Sequence, residues 1–88
     1  MKIYVLTELS SGDGYNAERL GFDSQKVFTE KAKAAKELEK LYKKIQKYDG
    51  NYGEIVDEEY KAGNYYSIEL EEEGGDTIYE AYIKEYEV

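Results

Sequence analysis

Carboxylates are the reactive side chains that this sequence offers in number. It contains twenty Asp and Glu residues but no cysteine and no histidine. The chain therefore has neither a thiolate nor an imidazole to act as a nucleophile or to bind zinc. Paired carboxylates can perform general acid–base chemistry, as in glycosidases, but 88 residues are too few to enclose a substrate cleft. We predict no catalytic residue, no cofactor and no enzymatic activity.

One short segment starts like a calcium-binding loop. Residues 49–54 read Asp-Gly-Asn-Tyr-Gly-Glu, but the sixth position is Glu54 where an EF-hand needs glycine, and the twelfth is Tyr60 where it needs glutamate. The acidic run at residues 71–73 does not form a ligand set, because adjacent strand residues point to opposite faces. The sequence predicts no metal site, and a divalent-ion or small-ligand module is kept as an alternative.

A long amphipathic helix is predicted over residues 24–48. Asp23 or Ser24 can cap its start, and Gly50 can adopt the left-handed conformation after its end. An alternative start at Thr29 would give the preceding residues to a strand. The predicted stripe follows the three- and four-residue spacing of one helix face and consists of Val27, Phe28, Ala34, Ala35, Leu38, Leu41, Tyr42, Ile45 and Tyr48.

Strands are predicted before and after this helix in the sequence. Residues 2–9 are rich in β-branched and aromatic side chains, and a short strand at about residues 15–22 would fold back on them. Three further strands follow the helix, with turns at residues 62–64 and at Gly74-Gly75. We expect one α+β domain over residues 1–88. Its mostly antiparallel sheet has four or five strands, and one long helix packs on one face, in the order ββαβββ or βαβββ.

The glycine hairpin predicts how the last two strands pair. If Glu73 pairs with Asp76, apolar residues meet on one face of the sheet. A loop of odd length at the preceding turn adds Val56 and Tyr60 to that face and leaves Glu58 inward or at the margin. The predicted apolar pairs are Tyr66–Ile83, Ile68–Ala81 and Leu70–Tyr79.

The opposite sheet face would collect acidic residues and tyrosines. Glu69 is expected to face Glu80 and to lie near Asp57, although facing like charges destabilise a sheet. Carboxylates on alternate residues lie roughly 6–7 Å apart, and strands about 4.8 Å apart, which approaches the charge density of a nucleic-acid backbone. The face is either a solvated sheet surface or a docking surface for a protein. Its predicted members are Asp57, Glu59, Tyr65, Glu69, Glu71, Glu73, Asp76, Ile78, Glu80, Tyr82 and Tyr86.

Charge is divided along the chain. Residues 24–48 hold eight lysines and three glutamates, whereas residues 54–88 hold twelve acidic residues and two lysines. Glutamates interleave with the lysines and the net charge is −8, so we interpret the helix as a solvated face and expect no direct contact with nucleic acid. No apolar run approaches the ~20 residues of a membrane span, so we expect a cytoplasmic protein without membrane contact.

Three segments carry a resemblance to other proteins. The segments are the opening Met-Lys-Ile-Tyr-Val-Leu-Thr-Glu of residues 1–8, the Phe-Asp-Ser of residues 22–24 before the lysine-rich segment, and the closing Tyr-Ile-Lys-Glu-Tyr-Glu-Val of residues 82–88. They resemble a loose group of short proteins from gut bacteria, their phages and mobile elements. Small acidic proteins of that origin include anti-CRISPR inhibitors, several of which occupy nucleic-acid sites of their targets. The resemblance implies an inhibitor in the bacterial host cell, and no residue role follows from it.

Two functions are open at this point. The first is a non-enzymatic inhibitor or adaptor that docks its acidic, tyrosine-bearing sheet face on a basic surface of a nucleic-acid-handling protein, such as a CRISPR effector. The candidate partner-binding residues are those of the predicted acidic face, apart from Ile78. The second is a homodimer that self-associates through this face or through the edge of the first strand.

Overall fold

Five strands and one helix follow one another in a computed structural model that describes residues 1–14 and 24–88. All strands pair antiparallel in one sheet, in the order β2-β1-β5-β4-β3. This confirms the predicted α+β fold and its ββαβββ order. The elements are β1 Lys2–Gly12, β2 Ser24–Phe28, α1 Lys31–Gln46, β3 Gly53–Lys61, β4 Tyr65–Glu72 and β5 Gly75–Glu87.

The first and last strands of the chain are neighbours within the sheet. β1 and β5 pair from Lys2 opposite Glu87 to Gly12 opposite Thr77. The β1–β5 pairing at the centre of the sheet therefore joins segments that are far apart in sequence. Closing this long segment costs conformational entropy, which the pairing and the packing of the core have to offset.

The helix is shorter than the predicted range of residues 24–48. It covers Lys31–Gln46, while Ser24–Phe28 forms β2 and pairs with β1. The alternative start at Thr29 is close to the structure, and capping by Ser24 is wrong. Asp23 and the strand predicted at residues 15–22 lie outside the residues that the structure describes.

Val27 and Phe28 show why the start of the helix was misplaced. Phe28 packs against the core, whereas the side chain of Val27 is 63% exposed on the other side of the sheet. Two adjacent apolar residues fit one helix face, but they also fit a strand that is apolar on both sides. Gly50 has the predicted positive φ of 80°, although it follows the end of the helix by several residues. In the described ranges, no helix is both long and apolar enough to cross a bilayer.

The core lies between α1 and the sheet face that it covers, which we call the inner face. Leu38, Ile68 and Leu70 are completely buried there. Tyr42 stacks on Tyr60 with ring centroids 4.1 Å apart, at the margin of this core. The predicted apolar faces of the helix and of β4 and β5 are thus confirmed. The core residues are Leu6, Leu38, Leu41, Ile45, Tyr48, Tyr66, Ile68, Leu70, Tyr79 and Ala81, with Phe28, Tyr42, Ile55, Tyr60 and Ile83 packed against them.

The β4–β5 hairpin is displaced by two residues from its predicted register. Its loop is Glu73-Gly74, and Glu72 pairs with Gly75. Gly74 and Gly75 have positive φ values of 89° and 143°, whereas Glu73 does not, so the hairpin requires glycine at the second loop position and at the first residue of β5. A shift of two residues leaves the paired side chains of β4 and β5 on their predicted faces, whereas Glu73 moves from the end of β4 into the turn. The observed pairs are Tyr66–Ala81, Ile68–Tyr79 and Leu70–Thr77.

β3 follows the prediction at its end but not at its start. Lys61 pairs with Tyr65 across a three-residue loop, so the predicted odd loop length is confirmed. The predicted inner position of Val56 is wrong. A β-bulge lies between Ile55 and Asp57, so Val56 is half-exposed and Ile55 packs against the core in its place.

Glu58 lies at the margin of the inner face, as predicted. It accepts hydrogen bonds from the Tyr42 hydroxyl and, at 3.1 Å, from the Gln46 amide. The hydrogen bond to Glu58 raises the pKa of Tyr42 to about 12. The Glu58 carboxylate therefore connects the edge strand β3 to α1 through two hydrogen bonds.

Replacing Leu38 with alanine tests the packing of α1 on the sheet. Leu38 is completely buried, so Leu38→Ala should lower the free energy of unfolding by about 2–4 kcal/mol. Lys36→Ala on the exposed side of the same helix should change it by less than about 0.5 kcal/mol. Urea denaturation followed by circular dichroism measures both values. Equal effects of the two variants would contradict the described packing.

Candidate docking surface

The sheet face opposite α1, which we call the outer face, carries the predicted acidic residues. It is not covered by any helix that the structure describes. The register places all the predicted members there except Glu73, which lies exposed in the β4–β5 turn. By strand, they are Asp57 and Glu59 on β3, Tyr65, Glu69 and Glu71 on β4, and Asp76, Ile78, Glu80, Tyr82 and Tyr86 on β5.

Five carboxylates form two neighbouring rows across β3, β4 and β5. Glu71 pairs with Glu54 on one side and with Asp76 on the other. In the next row Asp57 pairs with Glu69. Side chains that face each other across strands lie within about 4.5–5.5 Å at their Cβ atoms, so these charges repel. We call Glu54, Asp57, Glu69, Glu71 and Asp76 the acidic patch.

The expected pair of Glu69 and Glu80 is wrong. Glu69 faces Ile78 on β5, and Glu80 faces Ser67, because of the two-residue shift of the hairpin. The crowding of Glu69 has another source. Hydrogen bonding to Asp76, together with the charges of Asp76 and Asp57, raises the pKa of the Glu69 carboxyl. The patch thus makes ionisation of its central member, Glu69, less favourable than that of a free glutamate.

Glu54 was missed as a member of this face. The bulge after Ile55 adds one residue to β3, so Glu54 and Asp57 point to the same side despite their odd spacing. The sequence contains a signal for this bulge. Ile55 and Tyr60 are five residues apart, and strict alternation cannot bury both.

Two tyrosines connect the acidic patch with the rest of the outer face. Tyr65 pairs with Tyr82 beyond the row of Glu59, and a hydrogen bond to Glu59 raises the pKa of Tyr65. Tyr82 and Tyr86 are 42% and 43% exposed. Both rings thus present apolar surface to a partner, and Tyr82 does so one row from Glu59 and Glu80.

The outer face continues as an apolar area over β2, β1 and β5. Val5 pairs with Val27, and the 36% exposed Leu9 lies on β1 two rows away. We call Val5, Leu9, Val27, Tyr82 and Tyr86 the apolar area. Its signal in the sequence is the segment from Ile3 to Leu6, which is apolar on both alternations.

Two further carboxylates are buried on the inner face and do not belong to the patch. Glu72 accepts hydrogen bonds from the hydroxyls of Thr77 and Tyr79, the latter at 3.0 Å. Glu8 accepts one from Ser24 at 3.0 Å. Glu72 and its neighbour Glu71 lie on opposite faces, as the alternation predicts. Among residues 1–14 and 24–88, no group of acidic side chains is arranged to hold a metal ion.

The raised pKa of Glu69 predicts a pH-dependent stability. The folded state binds the Glu69 proton more tightly than the unfolded chain does, so this stabilising contribution is present at low pH and is lost as the pH rises through the folded pKa. Glu69→Gln, which imitates the protonated group, should therefore raise the melting temperature at pH 7 and change it little at pH 4.

The matched control for this measurement is Glu73→Gln, which removes the same charge from the exposed turn. Thermal unfolding of both variants and of the wild type at pH 4 and pH 7 makes the comparison. The crowding of Glu69 is refuted if Glu69→Gln gains no more than the control at pH 7.

Comparison with known proteins yields no relative: no family model, no curated protein and no solved structure matches this chain.

Proposed function

We propose that this protein is a small non-enzymatic inhibitor from a phage or mobile element, and that its outer face docks on a basic surface of a nucleic-acid-handling protein in the bacterial cytoplasm. A CRISPR effector is the target class that the resemblance of its sequence implies. The observation that supports the proposal most directly is the acidic patch, two rows of carboxylates on a sheet face that α1 leaves uncovered.

The arrangement of the patch is costly for the free protein. Facing positions on a sheet are stabilised by opposite charges, yet the two lysines of β3 and β5, Lys61 and Lys84, lie outside both rows. A basic partner would relieve the repulsion around Glu69 and convert it into binding free energy. The charge separation along and across the strands imitates that of nucleic-acid phosphates.

The neighbouring tyrosines add apolar contact to this electrostatic surface. Tyr82 and Tyr86 are half-exposed and belong to the residue types that dominate binding energy in protein interfaces. The partner surface that fits best therefore has a basic strip for the patch and an apolar cleft for the rings. The same charges disfavour direct binding of nucleic acid to this face, because phosphates would be repelled.

A second candidate function, a homodimer, is favoured by the apolar area. Val27 on β2 is 63% exposed, Leu9 lies on the adjacent β1, and Tyr82 lies on β5 beyond it. A second copy that covered these side chains would leave the acidic patch at the rim of the interface. Val27→Asp would then give monomers, whereas an inhibitor that uses the patch would keep its partner affinity in this variant.

Neutralising the patch tests the docking proposal. The triple variant Glu69→Gln, Glu71→Gln and Asp76→Asn should bind the basic partner about 3- to 150-fold more weakly, since each lost ion pair is worth roughly 0.2–1 kcal/mol. Its melting temperature should not fall. The association rate of the wild type should decrease steeply between about 50 and 300 mM salt, because steered association is screened.

The partner for this measurement is recovered from host lysate by affinity capture with salt elution, purified and then titrated by surface plasmon resonance. A control variant neutralises Glu30, Glu85 and Glu87, which are exposed away from the patch. Full affinity of the triple variant, or equal losses in the two variants, would refute docking through the patch.

Tyr82→Ala should weaken the complex more than any single acid-to-amide change. Loss of a desolvated aromatic anchor costs about 2 kcal/mol or more, which corresponds to about a 30-fold rise in Kd through faster dissociation. Tyr52→Ala is the control, because Tyr52 is 51% exposed but lies before β3, outside the outer face. An unchanged dissociation rate for Tyr82→Ala would place the contact elsewhere.

A further inference from the structure

Six lysines line a shallow groove that runs along α1. Lys26 from β2 contributes one side, and Glu37, Glu39 and Leu41 complete the lining. We call this surface the lysine groove. Its other lysines, Lys36, Lys40, Lys43, Lys44 and Lys47, come from the helix and the residue that follows it.

The two glutamates of the groove are already paired. Lys26 contacts Glu37 at 2.9 Å, and Lys43 contacts Glu39 at 2.9 Å. The hydrogen bond between Lys26 and Glu37 raises the pKa of the lysine and lowers that of the glutamate, so both are charged at neutral pH. Within residues 1–14 and 24–88, Lys36, Lys40 and Lys47 form no ion pair, and the groove therefore keeps a positive charge.

The spacing of these three lysines suits a row of carboxylates. Residues four and eleven positions apart lie on one side of a helix, so Lys36, Lys40 and Lys47 extend over about 16 Å at 1.5 Å per residue. The acidic patch crosses three strands, which is about 10 Å, and its two rows lie about 7 Å apart along them. The two surfaces have opposite charge, and the row of lysines is long enough to span the patch.

Within one molecule these surfaces cannot meet. α1 packs on the inner face of the sheet and the acidic patch lies on the outer face, so the sheet separates them. We propose that the lysine groove of one molecule binds the acidic patch of a second copy of the same chain. Because the two surfaces differ, the contact is heterologous and leaves a free groove and a free patch at the ends, so association continues head to tail.

Ionic strength should control this association. The net charge of −8 makes two molecules repel at long range, whereas the groove and the patch attract at contact. At about 0.1 M salt the Debye length is about 10 Å, so the long-range repulsion is screened while contact pairs persist. At about 0.5 M salt the exposed contact pairs are screened as well, and the molecules should separate.

A pair of neutralising variants tests the proposal. The groove variant carries Lys36→Gln, Lys40→Gln and Lys47→Gln and keeps its patch. The patch variant carries Glu69→Gln, Glu71→Gln and Asp76→Asn and keeps its groove. Sedimentation velocity at about 0.1 M salt, from about 20 to 500 µM protein, should show growing oligomers for the wild type and monomers for either variant alone.

Mixing the two variants gives the decisive result. Only one contact is then left, between the groove of the patch variant and the patch of the groove variant. An equimolar mixture should form a 1:1 heterodimer that does not grow with concentration. A monomeric wild type, variants that still self-associate, or a wild type that stops at a two-fold dimer would each overturn the proposal.

Two additional measurements separate this proposal from other interpretations. Single-stranded RNA that binds the wild type and not the groove variant, without self-association, would assign the groove to nucleic acid and overturn the proposal. The groove variant should bind the basic partner of the proposed function with unchanged affinity. Failure of head-to-tail association therefore leaves the inhibitor proposal standing, and failure of the inhibitor proposal leaves this one standing.

Discussion

One 16-residue helix packed on one face of a five-stranded sheet determines the environment of every strand side chain. Alternate residues either enter the core beneath α1 or remain on the outer face. The helix spans about 24 Å and can bury the inner face of most strands, which accounts for the complete burial of Leu38, Ile68 and Leu70. Among the described residues, the hydrophobic core lies at this interface. The outer face is not covered by α1, so it can carry rows of carboxylates without burying them.

Alternation explains how much of this arrangement the sequence could predict. The two-residue error in the hairpin did not change any face, because the period of a strand is two. The error did change which residues face each other across the strands. Glu80 was predicted to face Glu69, but it faces Ser67. The observed register instead pairs Leu70 with Thr77, whose hydroxyl donates to the buried Glu72. Matching apolar residues across strands cannot reveal a pairing that is stabilised by a buried hydrogen bond.

Local irregularities limited the rest of the prediction. The β3 bulge moves Glu54 to the outer face. A prediction from strict alternation misses this, because it does not allow for the extra residue that a bulge inserts into a strand. The start of α1 was ambiguous because Val27 and Phe28 fit either a helix stripe or a two-sided strand. The fold class, the core and most of the acidic face therefore follow from periodicity. The exact edge of the acidic patch depends on one residue that only the tertiary structure places.

The two layers of the molecule treat charge in different ways. On α1, Lys33 pairs with Glu30 and Lys43 with Glu39 at helical spacings, whereas the patch on the sheet concentrates acids around Glu69. Both proposed contacts use this patch, so a basic partner and a second copy of the chain would compete for it. A partner of higher affinity would disperse head-to-tail assemblies and leave the lysine groove free in the resulting complex. Self-association would then reduce the amount of free inhibitor at high concentration without blocking a tightly binding target.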